Sequence, residues 1–140
     1  MNIDFLNFQW VYRGKKFYNL SSEEILNYTL PNGRYLDYEF LKKLSYSRND
    51  VELLELMSQS HYKKIFEHES RTERYLERDM DRYLYGKFLK SEKESKLSMV
   101  TVVTFAHRLE FEMRDLFTLI ESKRYGVSSH ELKQYLIRRL

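Results

Sequence analysis

The densest group of side chains able to share polar chemistry lies in one stretch, "HRLEFEMRDL" at 107–116. Arg108, Glu110, Glu112, Arg114 and Asp115 put two cations and three carboxylates into eight consecutive residues. On a helix, Glu110 and Arg114 stand four apart and can pair, which is worth only about 0.3–0.5 kcal/mol when exposed. Such a cluster has two uses: it bridges neighbouring helices, or it offers charge to a partner. Nothing in the spacing marks one carboxylate as a general acid or base, because carboxylate pairs recur throughout a chain this charged.

Other chemistries find no support in the residue types. The four histidines, His61, His68, His107 and His130, show neither HExxH nor paired spacing. His107 and Glu110 share a helical face, but two ligands do not make a metal site. There is no glycine-rich phosphate loop, no GxSxG elbow and no cysteine nucleophile. The expectation is a protein without catalytic residues, metal or cofactor. Absence of cysteine also excludes disulfides and fits a reducing compartment.

Helices must position that cluster. Glycine (4) and proline (1) are scarce in the 140 residues while charge reaches 32%, which argues for long helices over a sheet rich in tight turns. A chain of this length buries about 70% of its unfolded surface and folds without metal or disulfide help. The net charge of +3 is small beside 24 basic and 21 acidic residues, interleaved as in "RTERYLERDMDRYLYGK". The N-terminus "MNIDFLNFQW" lacks the basic start and small-residue cleavage site of a signal peptide. The most apolar run, "MVTVVTFA" at 99–106, is far shorter than the roughly 18 residues of a spanning helix.

Periodicity and capping divide the chain into helices over 3–18, 22–28, 37–45, 49–58 and 60–67. Pro31 and the Asn32-Gly33 turn interrupt the series, and Asn49 or Ser47 caps the fourth helix. Ser70 and Glu73 form a capping box that opens a charged helix to about Lys90, with Leu76, Met80, Leu84 and Phe88 as its apolar stripe. Gly86 weakens or bends that helix. A polar connector, "SEKESK" at 91–96, precedes a long helix over 98–125. Val102, Ala106, Leu109, Met113, Leu116 and Ile120 alternate steps of four and three, a heptad-like seam expected to be buried. Gly126 ends the long helix, and a last helix is expected over 129–140.

One pattern occurs twice. "NLSSEEIL" at 19–26 and "GVSSHEL" at 126–132 both place a glutamate three residues after a serine, the spacing of a capping box. The repeat extends upstream: Asn7-Phe8 matches Asp115-Leu116, Val11-Tyr12 matches Leu119-Ile120, and Lys15 matches Lys123. The shared unit is a helix with a basic end, a tight turn and a boxed short helix. Two copies are too few for a solenoid but point to a duplication.

The C-terminal stretch "MVTVVTFAHRLEFEMRDLFTLIESKRYGVSSHELKQYLIRRL" resembles the end of the C (eukaryotic d) subunit of V-type and A-type rotary ATPases. The family pattern of acidic-x-acidic-x-Arg-Asn/Asp-Leu is present as Glu110, Glu112, Arg114, Asp115 and Leu116, followed by Lys123 and Gly126. The front of the chain is similar to the family's Asp-x-x-Asn and Arg-x-Lys segment, with its turn at Pro31 to Gly33. Leu109 departs from the family, which carries lysine before the acidic pair. Members are well over twice this length, so the resemblance implies that 1–140 is a single helical domain forming the C-terminal portion of a longer protein.

What the resemblance implies is an all-α fold, a helical bundle of repeated helix–turn–helix units within a pseudo-threefold, funnel-shaped whole. Its role there is non-catalytic and needs no cofactor. Such a protein is a socket between the central-shaft subunits and the membrane rotor ring, linking ATP hydrolysis or synthesis to proton or sodium transport. The resemblance also implies a cytoplasmic protein that reaches the membrane only peripherally, through the ring, and no nucleic-acid partner. The alternative from the residues themselves is a basic, aromatic-rich nucleic-acid-binding or protein-interaction domain. In its favour stand a pI near 9.0 and Arg34, Arg48, Lys63 and Lys64 beside many aromatics. Against it stands the interleaving of acids with the basic residues.

Overall fold

The structure is a computed structural model that describes residues 2–66, 73–94 and 98–138. Helices are the sole regular secondary structure among the described residues. The chain divides into two compact units, Met1–Glu69 and Ser70–Leu140.

In the first unit, α1 (Asn2–Lys16) leads through a turn to α2 (Ser22–Asn27), then α3 (Tyr38–Ser45), α4 (Asp50–Ser58) and α5 (Lys63–Phe66). One face of α1 supplies Phe5, Phe8, Val11 and Tyr12 to the core, at the helical spacing expected. Leu41, Leu44, Leu53, Met57 and Phe66 from the later helices, and Tyr62 from the turn before α5, are buried too. The Phe8 ring meets Phe66 edge-on at 4.9 Å, and Phe5 lies 4.7 Å from Tyr62. Helices α2, α3 and α4 each have a capped start. Ser21 forms a complete capping box with Glu24, while Asp37 and Asn49 accept from the third amide of α3 and α4. Ser47, the other candidate for that last cap, is buried and donates to the Leu44 carbonyl.

The second unit holds α6 (Glu73–Glu94), α7 (Met99–Arg124) and α8 (Ser129–Tyr135). Leu76, Met80 and Leu84 are buried, and the Phe88 ring stacks on His107 at 4.6 Å. Ser70, the expected first half of a capping box, lies outside the described residues. Helix α6 continues through Glu94, so most of the expected polar connector at 91–96 is helical. Glutamate, lysine and serine carry little helix penalty, and the Lys90–Glu94 pair at 3.7 Å supports the added turn.

Two further expectations are corrected. Helix α8 stops at Tyr135 instead of reaching Leu140, because Leu136 is extended (φ −70°, ψ 140°) and the amides after it bond elsewhere. The seam of α7 is also not buried: Val102, Leu109, Met113, Leu116 and Ile120 are 45–65% exposed, and Ala106 is exposed as well. The buried positions of α7 are Thr104, Phe111, Asp115 and Ser122. At 100° per residue, Leu116 points about 140° away from Phe111, so seam and packed face are nearly opposite. Periodicity finds an apolar stripe but cannot say whether the unit itself covers it.

Candidate functional site

The cluster predicted on the long helix is assembled within the second unit, and each member has an identified partner. Asp115 is 3% exposed and accepts from the Ile137 amide at 2.7 Å, the Arg138 amide at 3.1 Å and Arg138 Nε at 3.2 Å. Arg138 also donates to Glu112 Oε1 at 2.8 Å, and these two carboxylates raise its already high pKa against the opposing effect of burial. Arg114 bridges Asp81 of α6 at 2.9 Å and Glu110 at 3.2 Å. Arg108 reaches Glu92 of α6 at 2.7 Å, and His107 lies 3.4 Å from Glu110. Four of the five predicted residues therefore tie α7 to α6 or to the segment after α8, while Glu110 pairs within α7. Asp81, which no motif marked, is the perturbed member: burial pushes its carboxyl up to about 6, against the lowering effect of Arg114.

Arg138 and the chain end around it were also missed, because a bond to a backbone amide 22 residues away leaves no mark in local spacing. The repeat, however, does mark it. Asn7 of α1, matched to Asp115, receives the Leu30 amide on Oδ1 at 2.7 Å and donates Nδ2 to the Leu30 carbonyl at 2.9 Å. Both copies thus clamp the chain just after the short helix. The residue types follow from what is clamped: an amide serves one N–H and one C=O at Leu30, while a carboxylate serves two N–H groups at Ile137 and Arg138. Three residues earlier, Asp4 and Glu112 also correspond. Asp4 is fully buried and accepts from the Tyr35 and Leu36 amides and from Tyr62 Oη at 2.5 Å.

The turns agree as well. Asn19 (φ 47°) and Gly126 (φ 68°) both adopt the left-handed conformation, two residues before the capping serine. Leu20 N–H bonds the Gly14 carbonyl, and Val127 N–H bonds that of Ser122, one small residue in each copy. Ser128 caps α8 by accepting from the Glu131 amide at 3.2 Å, while the Glu131 carboxylate accepts from Tyr135 Oη. The two copies share helix order, turn conformation and clamp.

Two surfaces remain apolar. Along α7 the exposed seam is widened by Val103, Phe105 and Phe117. In the first unit a groove of about 470 Å³ runs over α1 and α2, with Trp10 stacked on Tyr28 at 6.4 Å. Among the described residues no three His, Asp or Glu side chains are grouped to hold a metal. His61 stacks on Tyr35 at 3.7 Å, His107 stacks on Phe88, and His68 lies outside the described residues. No described helix is long and apolar enough to cross a membrane.

Compared with known proteins, the chain matches the family model described as ATP synthase (C/AC39) subunit over residues 1–135. No curated protein and no solved structure gives a match.

Proposed function

The chain belongs to the ATP synthase (C/AC39) subunit family, and from that membership we propose that it is a non-catalytic coupling element of a V-type or A-type rotary ATPase. In this reading it joins the central-shaft subunits to the membrane rotor ring, lies in the cytoplasm, and touches the membrane only through the ring. The 140 residues form the C-terminal portion of the complete protein. The observation that carries the proposal is the family match over 135 of 140 residues.

The geometry supports it in two ways. A socket that passes torque has to present a preformed surface, and α7 is a 26-residue helix fastened at several points along its length. Arg108 holds it to Glu92, Arg114 to Asp81, and Asp115 to the end of the chain. Its outer seam then offers aliphatic and aromatic anchors, with Glu110 and Glu112 at the border to set orientation more than affinity. Of the residues that favour the nucleic-acid alternative, Arg34 is engaged within the unit: it lies over the Tyr35 ring, which itself stacks on His61.

The test is capture of this chain, and of the complete protein, by purified shaft subunits and by the rotor ring in detergent. The complete protein should bind both and restore ATP-driven ion transport to a complex depleted of it. Binding to neither defeats the proposal.

A further inference from the structure

Helix α7 is packed on one side, where Phe111 and Asp115 are buried, and bare on the other. The six large apolar residues of its outer face, Val102, Phe105, Leu109, Met113, Leu116 and Ile120, are 45–65% exposed, and Val103 and Phe117 beside them fall in the same range. At on the order of 100 Å² of open surface each, these side chains leave roughly 800 Å² uncovered, against about 300–600 Å² for the largest apolar patch of an ordinary monomer. Roughly 800 Å² is also what each partner buries in a stable interface of standard size. The order of residues along this face shows which partner fits it.

We propose that the partner is a second copy of this chain, its α7 laid antiparallel on the first about a two-fold axis level with Phe111. Each residue then lies opposite the one equally far beyond that level. Val102 faces Ile120, Ala106 faces Leu116 and Leu109 faces Met113, so every seam position meets an apolar side chain, and small Ala106 sits against larger Leu116 without a void. On one flank Val103 comes beside Phe117, and on the other Phe105 comes beside Leu119. A parallel pairing fails the same comparison. It sets Ala106 on Ala106, which leaves a gap, and brings Phe105 beside Glu110, Glu112 beside Phe117 and Leu119 beside Arg124. In the antiparallel pair like charges meet only at the axis, Glu110 on Glu110 and Glu112 on Glu112. Each is already held by a cation of its own chain, Glu110 by Arg114 at 3.2 Å and Glu112 by Arg138 at 2.8 Å. The same patch serves both copies, so the assembly closes at two. The proposal stands on α7 alone and takes nothing from the functional reading.

Sedimentation equilibrium of the full 140-residue chain is the first test. At about 50 μM it should sediment at twice its 17.3 kDa, because interfaces of this size hold at micromolar concentration or below. Leu109→Glu with Leu116→Glu should raise the dissociation constant at least about tenfold with circular dichroism unchanged, since both side chains are half exposed in the single chain. Glu110→Gln with Glu112→Gln removes the like charges at the axis and should tighten the pair at least about threefold. Orientation is read by cross-linking with a short bismaleimide, since the chain has no cysteine of its own. Val103→Cys mixed with Phe117→Cys should give a covalent dimer of one with the other, and Ala106→Cys alone should give none. A parallel pair gives the reverse. A monomer at about 50 μM, a dimer as tight with the two glutamates as without, a pair loosened by the two glutamines, or the parallel cross-linking pattern overturns the inference. These measurements contain no shaft or ring, so failure to bind those partners defeats the functional proposal alone.

Discussion

Replacing Asp115 tests the clamp on the long helix most directly. Asp115→Ala strands the buried Ile137 amide, at about 1–3 kcal/mol for an unsatisfied donor. The Arg138 amide is only partly buried, and water can replace its partner, so its loss adds about 0.5–1 kcal/mol. Arg138 keeps Glu112. The expected total is about 1.5–4 kcal/mol from the second unit. Asp115→Asn retains one acceptor for Ile137 but sets an amide where a second acceptor is needed, and should lose about 1–2 kcal/mol. The mirror substitution probes the other copy. Asn7→Asp puts a carboxylate against the Leu30 carbonyl and removes the donor it needs, so the first unit should weaken by about 2–3 kcal/mol. Urea unfolding followed by circular dichroism gives the free energies, and hydrogen exchange at Ile137 and Leu30 locates them. If Asp115→Ala changes stability by less than about 0.5 kcal/mol, or leaves Ile137 as protected as before, the clamp is not what ends α8.

Three other substitutions follow from the same geometry. Gly86→Ala meets no atom within 4 Å on exposed α6 and should stabilise the second unit by about 0.5–1 kcal/mol, read as a higher urea midpoint. Gly33→Ala would place its Cβ 2.3 Å from Asp4 Oδ1 and 2.8 Å from the Leu36 carbonyl, displacing a buried carboxylate from its donors; a loss of about 3 kcal/mol or more is expected, and a thermal midpoint equal to the parent's would refute it. Asp81, raised from 3.8 to about 6, holds its proton more tightly folded than unfolded, so its contribution is present below pH 4 and is lost as pH rises through 6. Asp81→Asn should remove that slope and leave the second unit unchanged to about 1 kcal/mol more stable at pH 7, once the Arg114 pair and the carboxylate's 25% exposure are allowed for. A stability profile between pH 4 and 7 that Asp81→Asn does not flatten would refute this assignment.

Local signals named the helices well because their causes are local. Ser21, Asp37, Asn49 and Ser128 cap where a side-chain oxygen can reach an amide three residues on, and Gly126 ends α7 because it tolerates φ 68°. The repeat was legible for the same reason, down to the matched Asn7 and Asp115. Helix α6 overran its expected end because a polar run reads as a connector, yet its residues are good helix formers.

The residue order by itself determined the elements, their caps, the duplication and the polar group on α7, since each depends on neighbours within a few residues. Tertiary structure alone decided which stripe of α7 is covered, where α8 stops and which carboxylate is perturbed. Those outcomes depend on groups far apart in the chain: Asp115 with Ile137, Arg114 with Asp81, Arg82 with Leu136. A heptad of aliphatic side chains has the same periodicity whether its cover is folded with it or absent. The face of Phe5, Phe8 and Tyr12 is buried, and the matched face of Met113, Leu116 and Ile120 is bare, because burial is a property of what lies opposite and not of the helix that carries the pattern.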